Sequence, residues 1–152
     1  MFRNKETVAL NDILVQCESN AKHLHYTVDL LEREEDRALL KQLADERVDF
    51  AEQLRRRIMQ GGELADTADT ELDTLQELGE TLASNLAAWG RQELLQARIE
   101  DEEKLIATVD EALTFAMPPD YGPLLEHIRG QAKTGVAGLR GRRCADRAPN
   151  RR

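Results

Sequence analysis

The sequence predicts an all-α protein, a bundle of four helices arranged as two hairpins and joined by a long crossover that carries a helix of its own. Four separate stretches place apolar residues at alternating steps of three and four, the spacing that lines one face of a helix. No stretch shows the alternation of apolar and polar residues that marks a half-buried strand. A third observation concerns the interior: the stripes of two helices are broken at their centres by a charge, Arg47 in one and Glu102 in the other.

The first helix is expected from about Glu6 to Glu32, with Asn4 as its N-cap. Its stripe of Leu10, Leu14, Cys17, Ala21, Leu24, Val28 and Leu31 runs through three heptads without a slip. The second is expected from about Asp36 to Gln60, on Leu40, Leu43, Arg47, Phe50, Leu54 and Ile58, with Ala44 and Ala51 widening the stripe. Gly61 and Gly62 end it, since glycine accepts the left-handed cap. The join at Glu34-Glu35-Asp36 carries neither Gly nor Pro, so only the stripes place it.

Residues 63–70 read as a polar linker. A crossover helix is expected over about 71–90, with Leu72, Leu75, Leu78, Leu82, Leu86 and Trp89 on one side. The next helix, about Gln92 to Ala116, has Leu95, Ile99, Glu102, Ile106, Val109, Leu113 and Ala116 in strict four-three steps. Pro118-Pro119 stops it, because a residue before proline avoids helical angles. Gly122-Pro123 opens the last helix, whose stripe is Leu125, Ile128, Ala132, Gly135 and Leu139. Gly130, Gly135 and Gly138 each cost that helix about 1 kcal/mol relative to alanine. Close approach of a neighbouring helix is the expected compensation.

The expected domains are a bundle over residues 1–139 and an Arg-rich tail over 140–152. The tail holds six arginines against Asp146, a charge of +5, which leaves −13 on the rest of a chain whose total is −8. This composition predicts a disordered tail, and a body that repels nucleic acid and anionic membrane. Nucleic acid is an expected partner only through the tail, and with six arginines set against so acidic a body the solvated terminus is the favoured reading. Aromatic residues are only 4% of the chain, too few to interleave with basic residues on a single-strand-binding surface. The N-terminal residues form no apolar signal core, no apolar run reaches about 18 residues, and Cys17 and Cys144 are far apart. A reducing cytoplasm, no membrane span and no disulfide are the expectation. Self-association as a homodimer is expected to use a spare helix face, the 71–90 segment being the candidate.

Several phrases in this order resemble an uncharacterised bacterial family of ferritin-like four-helix bundles. They are Leu10-Asn11-Asp12-Ile13-Leu14, then Arg47 with Phe50-Ala51-Glu52-Gln53-Leu54, Gly61-Gly62-Glu63, and Glu102-Glu103 followed by Ala112-Leu113. The resemblance covers roughly residues 8–140. It implies a fold, a relative of ferritins and rubrerythrins with one long crossover between hairpins, and no assigned reaction.

Di-iron carboxylate bundles take a Glu from each of two helices and a Glu-x-x-His from each of the other two, because residues three apart grip one metal from one face. Here the residues three before His23, His25 and His127 are Asn20, Lys22 and Leu124. Glu46-x-x-Asp49 is the nearest imitation, and the standard motif is absent. No cofactor is expected. An alternative reading collects iron or another divalent metal on Glu18, His25, Glu46, Asp49 and Glu103. Against it, charged residues flanking an apolar seam are ordinarily solvated.

Arg47 and Glu102 sit at the centres of their stripes and cannot rotate into water. An unpaired buried charge costs several kcal/mol, so each needs a partner. The expectation is a bidentate, desolvated ion pair between them at mid-bundle, against the alternative that one lies at an edge and reaches water. The chain contains no glycine-rich phosphate loop, no G-x-S-x-G and no HExxH. It is therefore expected to be a non-enzymatic structural or interaction protein. The runner-up is a metal-dependent oxidase or iron-handling protein on the irregular carboxylate set.

Overall fold

The computed structural model describes residues 5–61, 89–115 and 117–145. Among them the chain forms four helices and no strand: α1 (Lys5–Leu30), α2 (Glu34–Gln60), α3 (Arg91–Ala112) and α4 (Tyr121–Ala145). The linker at 63–70, nearly all of the crossover helix expected over 71–90, the Asn4 cap and residues 146–152 lie outside the described residues. No described helix is long and apolar enough to cross a membrane.

The acidic triplet Glu34-Glu35-Asp36 is the first turn of α2, two residues earlier than expected. Carboxylates are favourable there, where free backbone N–H groups point outward. Arg37 then serves the preceding helix, its Nη1 donating to the carbonyls of Val28 at 3.0 Å and Leu31 at 3.2 Å. These are terminal carbonyls that no glycine cap satisfies. At the start of α3, Glu93 accepts the N–H of Gly90. Pro123 stands in the first turn of α4, where its missing N–H is not needed.

One boundary is corrected. The last helix continues six residues past Leu139, to Ala145. Its arginines are not a free tail there, because the body supplies acceptors for them. Arg140 pairs with Glu103 at 2.7 Å, Arg142 with Asp36 at 2.7 Å, and Arg143 donates to Gln96.

Side-chain contacts give the topology. Residues Glu18 and Arg55 join α1 to α2, and Leu39 faces Gly138 while Arg57 bonds the carbonyl of Asp120, so α2 runs antiparallel to both α1 and α4. Gln16 meets Thr108 and Thr27 meets Arg98, so α1 and α3 are antiparallel too. Around the bundle the order is α1, α2, α4, α3, with α2 and α3 parallel across a diagonal. The chain therefore leaves α2 at one end and re-enters α3 at the other, about 40 Å away at 1.5 Å per residue.

Leucine, isoleucine and alanine fill two separate apolar clusters. One gathers Leu14, Cys17, Phe50, Leu54, Val109, Leu125 and Ile128 near the base. The other gathers Leu24, Val28, Leu40, Leu95, Ile99 and Leu139 near the top. In α3 the buried face is turned slightly from the expected stripe. Leu94, Leu105 and Ala112 are buried, whereas Ile106 and Leu113 are only partly so. The turn brings Arg98 inside, where Thr27 Oγ1 and the His23 carbonyl accept its hydrogen bonds.

The top of the bundle is fastened by one carboxylate. Asp36 is fully buried and receives Arg91 Nε at 2.5 Å, Arg91 Nη2 at 3.0 Å and Arg142 Nε at 2.7 Å. Arg91 Nη2 also donates to the carbonyl of Arg142 at 2.6 Å. Three helices thus meet on one side chain. Burial alone would push the Asp36 carboxyl up, but the two guanidinium groups outweigh it and hold it below the usual carboxylate range. A depressed folded-state pKa contributes stability above the unfolded value of about 3.9, lost as pH falls through the lower folded value. Asp36→Asn is therefore expected to lower stability at pH 7, and urea titrations should show a smaller loss on acidification below about pH 4 than in the wild type.

Candidate functional site: a charged layer between two apolar halves

Arg47 is the middle residue of α2, and Glu102 is within one residue of the middle of α3. Their helices face each other across the diagonal, so both side chains point at the bundle axis. Arg47 is 0% exposed and Glu102 1%. Arg47 Nε donates to Glu102 Oε1 at 2.9 Å and Oε2 at 3.1 Å, and its Nη2 also donates to Oε1. The third corner, Nη1, lies 3.5 Å from Glu46 Oε1, and the guanidinium sits 5.8 Å over the Phe50 ring. That ring meets His127 of α4 edge-on, with centroids 5.4 Å apart. Burial disfavours the arginine's charge, but the Glu102 carboxylate more than restores it and raises its pKa above the usual value.

The other two helices complete the layer. From α1, Asn20 Nδ2 donates to Glu102 Oε2 at 3.0 Å and to the Asp101 carbonyl at 3.2 Å. From α4, Gly135 supplies absence of bulk. A Cβ there would stand 3.0 Å from Leu43 Cδ2 and 3.3 Å from both Arg47 Nη2 and Glu102 Oε1. The close approach anticipated for the glycines of the last helix is thus found at Gly135, and more loosely at Gly138 against Leu39, 3.4 Å away. It is not found at Gly130, whose Cβ would meet nothing within 4 Å.

A second set extends the layer toward the α1–α3 seam. Arg98, 3% exposed, donates through Nη1 to Thr27 Oγ1 at 2.8 Å and to the His23 carbonyl at 3.0 Å. Its Nη2 is 3.1 Å from Asp101 Oδ2, and His23 Nδ1 is 2.8 Å from the same oxygen. Burial lowers the Arg98 pKa, with Asp101 and Glu102 opposing the shift. Arg98, Asn20, Thr27 and Asp36 were not singled out from the sequence. Buried Arg98 lies one turn before Glu102 and beside stripe residue Ile99, the only hint that the stripe was wider than its apolar members.

Cys17, fully buried at the edge of this layer, is chemically quiet. Burial pushes its thiol up to about 12; Arg47 pulls downward, while Glu102 and Glu18 add to the rise. A thiol so held is not a nucleophile at neutral pH. Cys144 is exposed on α4.

The residues of the alternative metal set are dispersed. Glu18 pairs with Arg55 at 2.9 Å on the α1–α2 seam, and Glu103 pairs with Arg140 on the α3–α4 seam. Glu46 accepts from Gln42 at 3.2 Å, and Asp49 accepts from Gln53 at 2.7 Å, each along α2 itself. His25 lines a surface groove with Glu18, Val48 and Ala51. Among the described residues no three or more of His, Cys, Asp and Glu are grouped to hold a metal ion. No family model, curated protein or solved structure matches this chain.

Two predictions test the layer. Glu102→Gln should cost about 3–5 kcal/mol, because it strands a buried guanidinium, whereas an Arg47→Met, Glu102→Leu double variant should cost far less. Equilibrium denaturation in urea measures both. Gly135→Ala, at an exposed helical site, would gain about 1 kcal/mol. Here it should instead lose about 1–2 kcal/mol by the same assay, because the new methyl crowds the ion pair.

Proposed function

We propose that the protein is a ferritin-like bundle without the standard di-iron motif, acting as a non-enzymatic structural or interaction protein. On this reading it is a relative of the uncharacterised bacterial family that its motifs resemble. Two parallel helices facing each other across a diagonal, with one connection returning the length of the bundle, is the connectivity ferritin-like folds use. The observation that carries the proposal is the Arg47–Glu102 pair at mid-bundle, the level at which such folds gather carboxylates around metal.

A cation entering this layer would have to displace Arg47 from Glu102 and then share the space with a fixed guanidinium. The only other acid turned toward the layer from α3, Asp101, is engaged by Arg98 and His23. The charge that iron would bring is supplied by arginine. A metal-dependent oxidase or iron-handling protein on Glu18, His25, Glu46, Asp49 and Glu103 would need those groups on one ion, and two of them are held to arginines on different seams.

Elemental analysis of protein purified from iron-supplemented cells is expected to find iron far below one atom per chain. About two iron atoms per chain, the content of a di-iron bundle, would overturn the proposal.

A further inference from the structure

We propose that the back of α1 pairs with the back of α1 in a second copy of the chain, the two helices running antiparallel in a single register. The pairing does not depend on whether the mid-bundle layer holds metal.

Helix α1 has two seams. One is the buried stripe that packs on α2 and α3. The other lies on the far side of the helix and is built of two rows at heptad intervals, again in strict three-four steps. Lys5, Asp12, Ser19 and Tyr26 form the first row, and Val8, Val15, Lys22 and Asp29 form the second. None of them belongs to either apolar cluster. Val15, Ser19 and Lys22 are half-buried and the others are exposed, Val8 to 45% and Tyr26 to 37%.

Charge decides the partner and the direction. In an antiparallel pair related by a twofold axis, the first row of one helix faces the second row of the other. With the axis at the level of Cys17, Lys5 meets the partner's Asp29, Asp12 meets the partner's Lys22, Val8 meets the partner's Tyr26, and Val15 meets the partner's Ser19. Each charge faces its opposite, and the symmetry repeats every contact. A slide of one heptad sets Lys5 against Lys22 in one direction and Asp12 against Asp29 in the other. A parallel pairing sets every charged residue against itself. Both alternatives are repulsive, so the seam fits its own reverse in this register and is driven from the others. Asp12 also has a contact within its own chain, and an ionised carboxylate accepts from more than one donor.

The surface beside Val8 supplies a separate observation. Val8 borders a groove of about 250 Å³ with Ala9, Ala112 and Phe115, rimmed by Lys5 and Asp12. The partner's Tyr26 falls at this level. An aromatic ring with one polar end suits an apolar hollow with a polar rim.

Sedimentation equilibrium of the full chain is expected to show a dimer at about 100 μM. Lys5→Glu and Asp29→Lys, each alone, should weaken the dimer about tenfold or more, because each sets like charges face to face. Mixing the two variants should restore it, since the unlike copies then complement each other. In the full chain carrying Cys144→Ser, Val8→Cys together with Tyr26→Cys should link two chains by a disulfide on mild oxidation. Neither cysteine alone should do so, because the two copies of each position lie about 27 Å apart along the axis at 1.5 Å per residue. A monomer at that concentration, a dimer indifferent to both charge reversals, a mixture no tighter than its components, or cross-linking that is absent or equal in the single-cysteine chains would each overturn the proposal.

Discussion

The structure depends on a guanidinium and a carboxylate that meet where no water reaches. Taking either charge out of solvent is costly, and their mutual attraction offsets the cost only if the geometry is good and the remaining polar atoms are satisfied. The layer meets the first of those terms with parts from every helix and falls short of the second, since Arg47 Nη1 and Arg98 Nε are buried without a hydrogen-bond partner among the described residues. Arg47 comes from α2 and Glu102 from α3, Asn20 of α1 donates a further hydrogen bond to Glu102 Oε2, and Gly135 of α4 makes room. Such a pair adds little net stability over a well-packed apolar alternative. What it adds is register. A core of leucine and alanine repeating in heptads tolerates sliding by one heptad, and a slide here would leave two buried charges without partners.

The layer also explains why the apolar core is in two pieces. Cys17, Phe50 and Ala132 close the lower cluster beneath it, and Leu24, Leu43 and Val136 close the upper one above it. The upper half is further fastened by Asp36, which binds the start of α2 to the start of α3 and the end of α4. The lower half holds the larger share of the apolar side chains, and Phe50 there bridges Arg47 and His127.

Much of this was legible in the residues. The helices followed from heptad stripes, and nearly every stripe residue in α1 and α2 is buried. Arg47 and Glu102 were conspicuous because a charge at the centre of an apolar stripe has nowhere to go. What the pattern could not show was polar residues whose partners lie on other helices. Asp36 reads as one acid among three at a helix start, and only the folded chain brings Arg91 and Arg142 to it. Arg98 looks like a flank residue until Thr27 and the His23 carbonyl are set opposite. The end of the last helix was misplaced for the same reason. Arg140, Arg142 and Arg143 resemble a free basic tail when counted as charges, yet each has a specific acceptor on the body.

Three positions in this interior are bound to one another by space as well as charge. Arg47 without Glu102 is a stranded ion, Glu102 without Arg47 likewise, and any side chain at Gly135 presses on both. Drift in the composition of this core is thus channelled: neutral replacement of one member requires a simultaneous change in another. Among descendants of this sequence, the three sites should be inherited as a block, with arginine, glutamate and glycine kept together or abandoned together.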